Sequence, residues 1–310
     1  MSRMIAIFAV ATLATALSYS ASSAPENQWA ATAKALGKAG TEMPGGVYRV
    51  GMPRTDLQVI LDGVALKPTF ALGSWVAFAP MGHDAMVMGD LVLTEDEIAP
   101  VMKKLKDGGV EITALHNHLL RAKPATFYMH IHGHGHGQPA ALAQSIHDAL
   151  ALSKTPLGDA AAPPAQQASQ PQIDLDTTMI DRTLGAPHGQ IAAGVYQIGI
   201  PRAETIKDGG MIVPPSMGTA EAINFQPMGG GKAAITGDFV LTGKEVTPVQ
   251  RALLDNGIEV TALHSHMVDE QPRLYFMHFW ANDDAAKLAK GLRAALDKVN
   301  LSKKVDVANK

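Results

Sequence analysis

Val110-Glu111-Ile112-Thr113-Ala114-Leu115-His116-Asn117-His118 returns 148 residues later as Ile258-Glu259-Val260-Thr261-Ala262-Leu263-His264-Ser265-His266. Side chains alternate faces along a strand, so each stretch, read as a strand, sends its two histidines to one face. Other segments repeat at the same offset. Gly46-Val47-Tyr48 returns as Gly194-Val195-Tyr196, and Pro53-Arg54 as Pro201-Arg202. Gly89-Asp90-Leu91-Val92-Leu93-Thr94 returns as Gly237-Asp238-Phe239-Val240-Leu241-Thr242, and Met129-His130 as Met277-His278. One offset across so many segments marks an internal duplication.

The repeat divides the 310 residues. Residues 1–24 read as a signal peptide, with Arg3 before an apolar run from Met4 to Leu17 and Ser22-Ser23-Ala24 at a cleavage position. Residues 25–152 form the first repeat domain and 174–310 the second. Between them, 153–173 is an Ala/Pro/Gln linker with no apolar periodicity. After the leader no apolar run reaches the roughly 20 residues of a membrane helix. The expectation is a soluble periplasmic or secreted bacterial protein, without a membrane span.

Within a copy, residues 26–39 and 174–186 read as short helices, and Val47–Val50 and Val195–Ile198 as strands. The segments 55–79 and 203–226 match poorly between copies and are expected to differ in loops. Ala85–Leu93 reads as a strand. Thr94 with Glu97, and Thr242 with Glu245, fit a capping box before apolar residues at helical spacing. Pro100 and Pro248 are expected in the first turn of that helix. Strands at 110–119 and 125–132 and a helix at 138–152 complete the first copy; strands at 258–267 and 273–280 and a helix at 283–299 complete the second. The fold expected is α+β: two tandem copies of a ferredoxin-like β-α-β-β-α layer with an extra N-terminal helix and strands.

Composition removes several functions. A net charge of −3 provides no footprint for nucleic acid. With no cysteine, disulfide scaffolds and thiolate zinc sites are excluded. Histidine is what the chain has: 12 residues, six of them between His116 and His136. A hairpin would set His130 beside His116 and His118, and His278 beside His264 and His266. Three imidazoles on adjacent strands can hold a divalent metal, zinc or copper by ligand type, with a position left open. Hydrogen-bonding in a purely structural role is the other reading of the same residues. His132 would assist the first triad, and the run His130-Ile131-His132-Gly133-His134-Gly135-His136 offers flexible imidazoles or simply a loop tip. Copy two has Phe279 and Trp280 there; Tyr275, Phe276 and Trp280 form either a core wall or an aromatic platform for a small ligand or the cell wall.

Weaker candidates read as structural. Glu111 and Glu259 have the opposite strand parity from the histidine pairs. Asp90 and Asp238 suit a turn or cap, Arg54 and Arg202 a surface ion pair, and Gly229-Gly230-Gly231-Lys232 lacks the phosphate-loop spacing.

The motifs Thr113–His118, Thr261–His266 and Pro272-Arg273-Leu274-Tyr275-Phe276-Met277-His278-Phe279-Trp280, with 194–202 and 237–241, resemble the LppY/LpqO family of exported bacterial proteins. The resemblance covers nearly all of the chain after the leader and implies two copies of a domain of unknown function, with no established activity. The mycobacterial namesakes look like lipoproteins; this chain has no cysteine to carry a lipid. Copy one also replaces the Phe-Trp pair by Ile131-His132. The leading expectation is an exported binding protein with a divalent metal at a histidine triad in each repeat. A metal-dependent hydrolase and a cell-wall or glycan-binding module are the alternatives.

Overall fold

The structure is a computed structural model and describes residues 28–81, 84–135, 139–158 and 173–302. The signal-peptide reading, residues 159–172 of the linker and His136 lie outside the described residues.

Copy one runs α1 (Ala30–Leu36), β1 (Thr41–Met43), β2 (Val47–Pro53), a small hairpin β3 (Ile60–Leu61) and β4 (Val64–Ala65), α2 (Pro68–Ala71), β5 (Gly73–Met81), β6 (Asp84–Leu93), α3 (Glu95–Asp107), β7 (Glu111–His116), β8 (Phe127–Gly135) and α4 (Pro139–Leu150). Copy two repeats this as α5 (Thr177–Leu184), β9 (Gln190–Ala192), β10 (Val195–Pro201), β11 (Lys207–Asp208), β12 (Met211–Ile212), β13 (Ala220–Gly229), β14 (Lys232–Thr242), α6 (Gly243–Asp255), β15 (Glu259–His264), β16 (Leu274–Asp284) and α7 (Ala285–Leu296), with a 3₁₀ turn at Pro215–Met217 in place of α2.

The expected ferredoxin-like α+β layer is overturned. Each copy is built on a six-stranded, wholly antiparallel sheet, in the order β1-β2-β5-β6-β8-β7 and β9-β10-β13-β14-β16-β15. Of the six strands in each sheet, those missed are the edge strands β1 and β9 and, largely inside the segments that match poorly between copies, β5 and β13. Trp75-Val76-Ala77-Phe78-Ala79 lacks the alternation of a half-exposed strand because both of its faces are covered: Val76 and Phe78 lie in the helix-side core, Ala77 and Ala79 in a core shared with copy two.

Local chemistry sets the element ends. Thr94 and Thr242 cap α3 and α6 through the expected capping boxes. Pro100 and Pro248 fall inside these helices, beyond the first turn. Arg54 is fully buried, with Nη1 on Glu97 Oε2 and Nη2 on Asp56 Oδ2, both at 2.7 Å. Arg202 likewise meets Glu204 and Glu245. Both arginines are therefore interior struts linking a strand end to the helix cap, not surface pairs.

Each sheet has two different faces. One packs under the helices: Val76, Phe78, Leu91 and Met129 meet Leu36, Val101, Leu105 and Ile146 in copy one, and Phe225, Phe239 and Phe279 meet Val249, Leu253 and Leu292 in copy two. The other face meets the other copy. The segment carrying Val59, Leu61, Leu66 and Phe70 packs with Val195, Ala234 and Trp280. Its counterpart, carrying Ile206, Val213 and Met217, packs on Val47, Ala77, Met86 and Met88. Each copy thus lays its own loop segment across the other's sheet. Thr69 Oγ1 donates to Ala192 O, and Gln226 Nε2 to Ala65 O, both at 2.8 Å across this contact.

Candidate metal centre

The histidines lie on the faces that the two sheets turn toward each other. Asp90 on β6 is directly opposite His130 on β8, and Asp238 on β14 opposite His278 on β16, so each carboxyl shares a face with its imidazole. A bulge between Ile112 and Ala114, repeated between Val260 and Ala262, inserts one residue into β7 and β15. The bulge sets Ala114 opposite His130, and His116 therefore joins that face two residues on. Because it also reverses the parity count, Glu111 pairs opposite His132 and Glu259 opposite Trp280. The parity argument that separated the glutamates from the histidines fails for this reason.

Gly89 and Gly237, the residues before the two aspartates, sit where the strands come closest. A Cβ on Gly237 would lie 1.9 Å from Ala222 O. Asp90 and Asp238 are site residues that the sequence reading assigned to turns; their signal was the Gly-Asp step kept in both copies.

The six triad histidines form one cluster across the copy boundary. Ring centroids lie 3.5 Å apart for His116 and His264, 3.6 Å for His118 and His278, and 3.7 Å for His130 and His266. The relation is a pseudo-two-fold that exchanges His116 with His264, His118 with His266 and His130 with His278. His118 and His130 Nε2 are each 3.9 Å from Asp90, and His266 and His278 Nε2 each 3.8 Å from Asp238. One potential ligand atom from each of His116, His130, His264 and His266 falls within 4.8 Å of the others; so does the symmetry-related set His264, His278, His116 and His118.

Most of these atoms are buried and unpaired. Nε2 of all six histidines, Nδ1 of His264 and one oxygen each of Asp90 and Asp238 are shut off from solvent with no hydrogen-bond partner. Such atoms cost about 1–3 kcal/mol each, so nine of them would rival the about 5–15 kcal/mol that hold a domain together. A cation in their midst would turn that cost into ligation. One ligand is already oriented: His278 Nδ1–H donates to Gly237 O at 2.9 Å, which leaves Nε2 as the free lone pair toward the cluster.

The electrostatics agree. Burial holds His118, His130, His266 and His278 well below the ordinary histidine pKa, and takes His116 down to about 4 and His264 to about 3. Burial thus favours the neutral imidazole in all six, the form that binds metal. Burial pushes Asp90 up to about 8, against the opposing pull of Arg49, and lifts Asp238 well above the carboxylate range. In both cases burial favours the protonated carboxyl over the charged one.

A cavity of about 630 Å³ opens onto the cluster, lined from both copies by Arg49, Trp75, Asp90, Asn224, Asp238 and His266 among others. Arg49, which the sequence reading did not single out, lies 3.7 Å over the Trp75 ring and donates to Ser216 O at 2.7 Å.

The remaining candidates are placed elsewhere. His132 is apart from the triad, 3.1 Å from Asp208 of the other copy. Phe276 is buried and stacks on His266 at 3.5 Å. Trp280 is 3 % exposed, packs edge-on to Phe70 and donates from Nε1 to Asp62 Oδ2 at 3.0 Å. Tyr275 points to the other side of β16, at the surface. The three aromatics are therefore not gathered on one surface.

No helix among the described residues is long and apolar enough to cross a membrane. Comparison with curated proteins finds no match. Among solved structures the chain is similar to the trimeric bacterial microcompartment shell protein PduB, at 14 % identity over 81 % of this chain and 86 % of that one, with a TM-score of 0.18. It is also similar to EtuB from Clostridium kluyveri, at 6 % identity over 83 % and 90 %, with a TM-score of 0.19. Likenesses this slight carry no argument about fold or role. The sequence itself matches a family description twice, over residues 30–152 and 178–298: the chain belongs to the family described as Domain of Unknown Function (DUF1259), which it carries in two tandem copies.

Proposed function

We propose that this is a metal-binding protein whose centre is shared by its two copies, with His116, His118, His130 and Asp90 contributed by one and His264, His266, His278 and Asp238 by the other. The observation that carries the reading is the set of buried, unpaired imidazole nitrogens and carboxylate oxygens converging across the copy boundary. The pseudo-two-fold offers two equivalent positions sharing His116 and His264, so the chain takes one or two divalent ions. Imidazole ligands favour zinc or copper among them. Elemental analysis of untagged protein, before and after incubation with zinc or copper(II), tests it. The expected result is at least one tightly held ion per chain at the shared centre, with uptake reduced by that amount in the His116→Ala/His264→Ala variant. Protein that takes up neither ion, or uptake unchanged in that variant, would sink the proposal.

A second reading is favoured by the cavity: a hydrolase in which the metal activates water and Arg49 holds an anionic substrate. Zinc-loaded protein assayed on aryl phosphate and aryl ester substrates tests it; turnover equal in the Arg49→Gln variant would count against that role. The LppY/LpqO assignment and an exported location rest on the motifs and on the apolar leader Met4–Leu17. N-terminal sequencing of protein recovered from the periplasm of an expression host checks the leader.

A further inference from the structure

The pseudo-two-fold that relates the triads also relates two outer corners of the boundary between copies, and these have diverged in charge. At one corner Trp280 donates to Asp62 on the hairpin of the other copy. Asp62 is neutralised by Arg121, which also holds Glu259 through two contacts at 2.9 and 2.7 Å. The repeat offset carries Trp280 to His132, Glu259 to Glu111 and Arg121 to Asp269. The second corner accordingly has an imidazole in place of the indole and an acid in place of the only arginine of the set. It still receives a carboxylate from the opposite copy's hairpin, since Asp208 on β11 lies 3.1 Å from His132 Nδ1.

His132 and Asp208 are 5 % and 4 % exposed, and His132 Nε2 is shut off from solvent without a partner. His134, two residues on along β8, shares the same face. Its ring centroid is 4.9 Å from that of His132, and one ligand atom from each of His132, His134 and Asp208 lies within 4.8 Å of the others. Glu111 stands directly across the ladder from His132 and adds a further negative charge. Among the described residues, no arginine or lysine pairs with Asp208 or Glu111. We propose that His132, His134 and Asp208 form a second divalent-cation site, distinct from the shared centre and present at this corner alone. Two imidazoles and one carboxylate on a single ion leave a position for water. The ligands come from both copies, so the ion would tie the β11–β12 hairpin of copy two to β8 of copy one.

The test uses the untagged full chain and zinc alone. In the His116→Ala/His264→Ala background, one equivalent of zinc is expected to remain. It should weaken at least tenfold on adding His134→Ala, and again on adding Asp208→Asn instead. His134 is exposed, so His134→Ala alone in the otherwise unchanged chain gives an arm free of folding effects: zinc stoichiometry falls by one equivalent. Cobalt(II) loaded into the double-alanine background reports the geometry through its visible absorption. Zinc binding that is indifferent to both His134→Ala and Asp208→Asn, or a double-alanine background that binds none while the unchanged chain still binds, would overturn the second site. The latter result leaves the shared centre standing, and zinc lost only in the His134 and Asp208 variants would overturn the centre instead.

Discussion

Both faces of each sheet bury apolar side chains, but only the face between the copies also buries histidines and aspartates. Under the helices Val, Leu, Ile and Phe side chains meet side chains of the same kind, and burial itself provides the stability. Between the copies, the same strands present Asp90, His130 and their pseudo-symmetric partners, each with a buried polar atom that has no hydrogen-bond partner. The candidate chemistry is therefore confined to one side of the strands, among the apolar contacts between copies, and side-chain alternation keeps it off the helix-covered side.

That contrast can be broken from either side. The largest effect belongs to the helix-covered face: Phe279→Ala should cost about 3–5 kcal/mol in urea unfolding, yet leave the stoichiometry of metal uptake by the folded protein unchanged. A parallel loss of metal would show that the faces are not independent. Next, zinc at a hundredfold excess over its dissociation constant should raise unfolding stability by about 2.7 kcal/mol per independent site. That increment should be missing for the shared centre in the His116→Ala/His264→Ala variant. Without metal, the same double variant should lose no more than about 1 kcal/mol, since it removes unsatisfied nitrogens along with packing; a much larger loss would mean the imidazoles are structural.

A smaller effect distinguishes the copies from each other. Ser74 Oγ accepts the Val92 N–H in copy one, whereas Glu221 Oε2 accepts the Val240 N–H in copy two. Burial raises the Glu221 carboxyl well above its ordinary range, with Arg202 pulling the other way. A raised carboxyl contributes stability that is complete below its unfolded pKa and is lost as pH rises through the folded one. The wild type should thus lose stability toward higher pH from this group, and Glu221→Gln should flatten that slope in thermal unfolding at a series of pH values. The smallest effect is expected of Arg121→Ala, whose ion pairs are solvent-exposed: the unfolding midpoint should hardly move.

Much of this was legible in the chain. The 148-residue offset gave the duplication, the Thr-x-x-Glu steps gave both helix caps, and the repeated His-x-His and Met-His steps together gave six of the residues that meet at the boundary. What stayed hidden has physical causes. Strand β5 is covered on both faces and lacks alternation, and its counterpart β13 has diverged from it, so neither repeat nor period revealed the six-stranded sheet. The bulges at Thr113 and Thr261 shift parity by one, which no pattern count detects. Asp90 and Asp238 are recognisable only once β6 and β8, and β14 and β16, are known to be neighbours, because their partners lie some forty positions away in the chain.

The exchange of loop segments between copies has a consequence for how the protein would behave when dilute. If the two units were separate chains, closing the histidine cluster would be a bimolecular event, governed by concentration. Joined head to tail, they meet at an effective local concentration that does not fall as the protein is diluted. Each also carries the cover for the other's apolar sheet face, so neither unit alone would be a finished surface. The duplication thus works as a permanent heterodimer. Its ligand set can be complete however few molecules are present, and its two halves are free to diverge at the corners while remaining matched at the centre.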